Sequence, residues 1–91
     1  MAEPIANAVL TVHAREEMVR RGIDETAVIQ VLTAPEQRLP VREGRDVLQA
    51  RIYIEGKAYL IRVFVDVDRD PPEVVTAYRT SKIDKYWSAN Q

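Results

Sequence analysis

Residues 46–67 read DVLQARIYIEGKAYLIRVFVDV, two runs rich in β-branched and aromatic residues on either side of a glycine. Such residues favour strands, and a short glycine-bearing link favours a hairpin. The stretch therefore predicts strands at 46–55 and 58–67 joined across Gly56-Lys57. A two-residue loop with glycine first is of type II′ and fixes the register. Glu55 then faces Ala58, and Leu48, Ala50, Ile52 and Ile54 face Val65, Val63, Ile61 and Tyr59. Side chains alternate between faces, so one face of the hairpin is almost wholly apolar and must be covered. The reverse face carries Tyr53 opposite Leu60, Gln49 opposite Phe64, and Arg51 opposite Arg62. Like charges across a ladder repel, so this arginine pair calls for an anion such as a phosphate or a partner's carboxylate. The plainer alternative is neutralisation by glutamates of the neighbouring strand or the tail.

Toward the N-terminus lie two segments able to cover the apolar face. Thr11 caps a predicted helix over 12–21, in which Ala14, Met18 and Val19 form an apolar stripe and Gly22 supplies the left-handed stop. Asp24 caps a second over 25–33, whose Ala27, Val28, Val31 and Leu32 share a face before Pro35 ends it. Residues 1–10 are expected to be flexible or extended. Between helices and hairpin, a strand at 37–42 contains Pro40, which cannot donate to a ladder and so belongs at a sheet edge.

Beyond the hairpin comes an acidic loop, DVDRDPPE (66–73), then EVVTAYRT (73–80) as a fourth strand. Its alternation leaves the inward face open: either Val74, Thr76 and Tyr78 or Val75, Ala77 and Arg79 turn to the core. Residues 81–87 form a short terminal helix or packed tail, and 88–91 a tail. The expected architecture is a single α+β domain over 1–91. Two helices pack on one face of a four-stranded antiparallel meander, in the order ααββββ.

Composition narrows the function classes. The chain has 91 residues, 46% of them hydrophobic, and no cysteine, so neither a disulfide framework nor a thiolate metal site is available and a reducing cytoplasm is the expected compartment. No apolar run approaches the roughly 20 residues of a membrane span, so no membrane association is expected. A net charge of −1 gives no general attraction for nucleic acid, yet ten of the thirteen cations are arginine, suited to bidentate phosphate or carboxylate recognition. With one histidine, no metal cofactor is expected. Asp66, Asp68 and Asp70 have the spacing of a calcium loop, but Pro71 and Ala77 occupy the positions that need glycine and glutamate.

Two constellations carry possible chemistry. His13, Glu17 and Arg20 fall on one helical face, where the carboxylate would orient the imidazole for acid–base work, or the three form an ordinary solvated face. Thr76, Tyr78, Arg79, Ser81, Lys82 and Lys85 gather hydroxyls and cations around the last strand. They suit the stabilisation of phosphoryl charge in RNA cleavage, or are plain solvation.

The run HAREEMVRRGIDETAVIQVLTAP, an arginine-bearing hairpin and the ending VVTAYRTSK resemble a bacterial family of unknown function, the 4258 family, over about residues 11 to 86. More distantly, RGIDETAVIQVLTAPE and VTAYRTSKIDKYW resemble segments of the BrnT-type toxins, small RelE-like ribonucleases. That likeness implies helices against an antiparallel sheet of the RelE or barnase type, metal-independent RNA cleavage and an antitoxin partner. It places Thr76 at the family's serine, Ala77 at its alanine, Arg79 at a lysine, Lys82 at the later lysine and Tyr86 at the final tyrosine. Tyr78 stands where that family has an arginine, and Arg21 where it has a histidine. The site expected on these grounds comprises His13, Thr76, Tyr78 and Lys82 for proton transfer, with Arg51, Arg62 and Arg79 for the phosphate. The alternative is a non-catalytic module that grips a protein, or a second copy of itself, through its sheet.

Overall fold

The computed structural model describes residues 2–89. A short strand β1 (Val9–Leu10) precedes helices α1 (Val12–Arg20) and α2 (Glu25–Thr33). Strands β2 (Gln37–Arg42), β3 (Arg45–Ile54), β4 (Lys57–Asp66) and β5 (Glu73–Thr80) follow, and a one-turn helix α3 (Ile83–Tyr86) closes the chain. The α+β class holds. The sheet, however, has five strands in the order β1-β5-β4-β3-β2, and β1 runs parallel to β5, so it is mixed rather than a purely antiparallel meander of four. Two residues of pairing, Val9 with Glu73 and Leu10 with Val74, leave no periodic trace in the sequence. Ile5, in the preceding segment, is buried and its N–H donates to Leu32 O.

Helix α1 starts and stops for the local reasons expected of it, whereas Asp24, at the N-cap position of α2, makes no side-chain cap hydrogen bond. Thr11 Oγ1 accepts from Ala14 N at 3.0 Å and donates to Val74 O at 3.0 Å, so one hydroxyl caps α1 and ties it to β5. Gly22 takes φ +66° just past the end of α1. The inward face of α1 is Ala14, Glu17 and Met18, while Val19, expected in the apolar stripe, is 83% exposed. Glu17 is tolerated there because Arg20 and Arg21 both pair with it. With Val28, Val31 and Leu32 of α2, these residues cover Leu48, Ala50, Ile61, Val63, Val65, Val74 and Ala77 of the sheet.

The β3–β4 hairpin departs from the expected turn. Its loop is Glu55-Gly56, with φ +51° and +80°, the signature of type I′, so Ile54 pairs with Lys57. Relative to the type II′ register every pair moves by two residues, which preserves the faces and changes the partners. Arg51 faces Leu60 and Arg62 faces Gln49, so the two arginines are not opposed. The electrostatic advantage is direct, because the type II′ register would set guanidinium against guanidinium.

Strand β5 resolves its ambiguous alternation with a bulge. Val65 pairs with Val74 and Phe64 with Thr76, leaving Val75 as the extra residue. Val74 and Ala77 therefore both turn inward and are fully buried, although their spacing contradicts period two.

Candidate anion-binding face of the sheet

The face of the sheet turned away from α1 and α2 is organised in rows across the strands. One row is Thr76, Phe64, Val47 and Leu39; the next is Tyr78, Arg62, Gln49 and Gln37. The second row is a continuous hydrogen-bond chain. Arg62 Nη1 donates to Tyr78 Oη at 2.6 Å and Arg62 Nε to Gln49 Oε1 at 2.8 Å. Gln49 Nε2 donates to Gln37 Oε1 at 2.7 Å and to Tyr86 O at 3.1 Å. Gln37 closes the chain on Ser88, its Nε2 donating to Ser88 O at 2.6 Å and its Oε1 accepting from Ser88 N at 3.0 Å. A guanidinium is only a donor, so Arg62 forces Gln49 to present its oxygen. That choice sends the Gln49 amide group to Gln37, and so on to the tail. One cation orients the whole row.

Arg62 is half-buried and has no carboxylate partner among the described residues. Its charge is met instead by aromatic rings: its Cζ lies 4.6 Å from the Tyr86 ring centroid, 5.4 Å from that of Phe64 and 5.7 Å from that of Tyr78. Phe64 and Tyr78 stack at 5.9 Å, and Tyr86 meets Tyr78 edge-on at 6.1 Å. Lys85 Nζ lies 5.4 Å from the Tyr86 ring and adds a second positive charge beside it. Because Tyr78 Oη accepts from Arg62, its own proton is available to a ligand oxygen. The arrangement presents spare guanidinium N–H groups and a phenol O–H side by side, a donor set suited to an oxyanion.

Arg51 is committed elsewhere. Its guanidinium forms a two-point pair with Glu36, Nε to Oε1 at 3.0 Å and Nη2 to Oε2 at 2.7 Å, and its backbone N–H also donates to Glu36 Oε1. These hydrogen bonds hold the Glu36 carboxyl below its ordinary range and raise Arg51. The Trp87 ring lies 4.3 Å from Arg51 Cζ. The expected anion site shared by Arg51 and Arg62 is therefore corrected: both arginines lie on one face, but neutralisation by glutamate holds for Arg51.

The other expected residues are dispersed. Arg79 pairs in register with Ile61 on the helix-covered side, where its Cζ lies 4.9 Å from the Tyr59 ring. His13 is exposed on α1 and makes no hydrogen bond to a described residue. The carboxylate expected to orient it, that of Glu17, is held by Arg20 and Arg21. Lys82 is exposed at the start of α3. Thr76 accepts from Arg21 Nη1 at 3.2 Å, and the same nitrogen donates to Ala77 O at 2.9 Å on the edge of β5 that β1 leaves unpaired. Of the seven expected residues, only Arg62 and Tyr78 touch. Gln37, Gln49 and Tyr86, which complete the row, were not singled out as site residues. The signal available in the sequence was a glutamine within the apolar run LQARI, on the face away from the helices.

Among the described residues no three histidine, cysteine, aspartate or glutamate side chains converge as a metal site, and no helix is long and apolar enough to cross a membrane. Comparison with curated proteins and with solved structures returned no match. A family profile described as Domain of unknown function (DUF4258) matches residues 10–79, a span that holds Gln37, Gln49, Arg62 and Tyr78 and ends before α3. A match over this much of the chain establishes that the protein belongs to the DUF4258 family.

Proposed function

We propose that the protein binds RNA through this sheet face, gripping a backbone phosphate between Arg62 and Tyr78, in the manner of a RelE- or BrnT-type toxin domain. The observation that carries the reading is the partly buried guanidinium of Arg62, which aromatic rings and neutral acceptors surround and no described carboxylate neutralises. Among the described residues six ion pairs, such as Arg45–Asp66 and Arg38–Asp46, engage six other arginines. Arg62 and Lys85, with the Tyr86 ring between them, thereby keep a local positive charge on this face despite a net charge of −1. Half-exposed rings beside a cation also suit stacking with unpaired bases.

Cleavage is the finer step of this reading. Attack of a 2′-hydroxyl on the adjacent phosphate needs a base, an acid and charge stabilisation. Tyr78 supplies an acid and Arg62 the charge, whereas His13 sits on the helix layer, away from both. Labelled single-stranded RNA, incubated with the protein in EDTA and followed by anisotropy and by gel, tests both steps. Salt-dependent binding that Arg62→Gln abolishes supports the reading. Absence of binding at low salt refutes it, and binding without cleavage restricts it to recognition.

A second reading has one specific observation in its favour. Among the described residues β2 is an edge strand with no strand beyond it, and Val41 there is 47% exposed, so the edge could accept a strand from a protein partner, including a second copy. Sedimentation of the purified protein tests the second-copy form: a dimer that Val41→Lys dissociates supports it, and a monomer at high concentration rules it out.

A further inference from the structure

The row that holds Arg62 also holds the C-terminal segment. Gln37 engages both the N–H and the C=O of Ser88, as a neighbouring strand would, and Gln49 adds the carbonyl of Tyr86. The Tyr86 ring covers the Arg62 guanidinium and the Trp87 ring covers that of Arg51. Gln37 and Gln49 are 2% and 0% exposed, so the amides that read the segment's backbone are buried beneath it. Residues 83–88 thus lie across the candidate site as a strap, fastened by backbone contacts at Tyr86 and Ser88 and by cation–π contacts at Tyr86 and Trp87.

From this we infer that the strap and an anion at Arg62 are antagonists, so that docking of residues 83–88 restrains the site and phosphate binding releases the strap. This rests on the anion-binding reading of Arg62. The physical link is the guanidinium itself. Its charge attracts the Tyr86 ring and, through the Nε–H bond to Gln49, polarises the amides that grip Tyr86 O and Ser88. A bound phosphate neutralises that charge, which weakens the ring contact and the polarised chain together. Coupling is reciprocal, so whatever the phosphate takes from strap docking, the docked strap takes from phosphate affinity.

Trp87, the only tryptophan, reports strap docking directly by its emission and its quenching by acrylamide. Ser88→Pro deletes the N–H that Gln37 Oε1 accepts without touching the sheet. Trp87 already has φ −75° and ψ 128°, a conformation that a following proline favours. In the full chain, Ser88→Pro and Arg62→Gln are both expected to make Trp87 more quenchable with no ligand present. A single-stranded oligoribonucleotide added to the wild type should do the same. Ser88→Pro should bind that oligoribonucleotide roughly 5-fold or more tightly, the low end of ordinary coupling between sites. Equal or weaker binding by Ser88→Pro overturns the inference while leaving the RNA reading intact. Trp87 protection unchanged in Arg62→Gln overturns it irrespective of RNA. If Arg62→Gln releases Trp87 yet neither wild type nor Ser88→Pro binds RNA, the RNA reading fails and the antagonism falls with it. Circular dichroism of each variant confirms that the sheet persists.

Discussion

Replacing Gln49 by methionine removes the middle of the polar row at nearly constant volume. Three hydrogen bonds go: the acceptor for Arg62 Nε at 2.8 Å and the donations to Gln37 Oε1 at 2.7 Å and Tyr86 O at 3.1 Å. A bond to a charged group contributes roughly 1.5–3 kcal/mol and a neutral one about 1 kcal/mol, so the gross loss is about 3.5–5 kcal/mol. Methionine needs no partner at this fully buried position, which offsets on the order of 1 kcal/mol. The expected destabilisation is roughly 2–4 kcal/mol. In urea, with a slope of about 1–2 kcal/mol/M for a chain this short, the midpoint falls by roughly 2 M. Gln49→Glu is the sharper companion. It keeps an acceptor for Arg62 and adds an ion pair, yet turns an acceptor toward Gln37 Oε1 and Tyr86 O, so it too should destabilise. A Gln49→Met change below about 0.5 kcal/mol, the scale of an inconsequential surface substitution, would refute the idea that this row organises the face.

Three other outcomes follow from the geometry. Glu55 adopts φ +51° in a type I′ turn, so Glu55→Asn should stabilise the protein by roughly 0.5–1 kcal/mol in the same urea assay. Leu48→Ala, at a fully buried position against the helices, should cost about 2–5 kcal/mol and lower the thermal midpoint accordingly. Hydrogen bonds from Arg51 and Arg45 hold Glu36 and Asp66 below their ordinary values of 4.5 and 3.8. A carboxyl depressed on folding stabilises above its unfolded value and loses that contribution as pH falls through its folded value. Stability should therefore decline from about pH 4.5 downward, by a small amount because these pairs are partly solvated, and Glu36→Gln with Asp66→Asn should flatten that limb in pH-dependent urea titrations.

The helix layer was legible from local chemistry, because Thr11, Gly22 and Pro35 act within a few residues of where they stand. The hairpin was legible in its faces and not in its partners. Type I′ and type II′ loops around Gly56 differ by two residues, so both send Leu48 and Ala50 to the core. The choice between them depends on what Arg51 meets across the ladder and on Glu36, just before β2, information that is not local. The bulge at Val75 and the parallel pairing of Val9 and Leu10 arise from the same cause: a tertiary contact decides against the period of the strand. The candidate site was half legible. Arg62 and Tyr78 were identified as charge and hydroxyl, but Gln37, Gln49 and Ser88 become a unit only when four strands and the tail are laid in one row. Arg79 is close to Tyr78 in sequence, but the bulge in β5 puts it on the helix side, in register with Ile61.

The most direct test of Arg62 as an anion site is a heteronuclear correlation spectrum of the arginine Nε–H groups recorded while a short single-stranded oligoribonucleotide is titrated. The Arg62 Nε–H and the Gln49 side-chain amide are expected to shift together and saturate, while the ion-paired Arg45 and Arg15 stay in place. If Arg62 does not move, or if only exposed arginines such as Arg42 and Arg69 respond, the sheet face is not where this protein meets its anion.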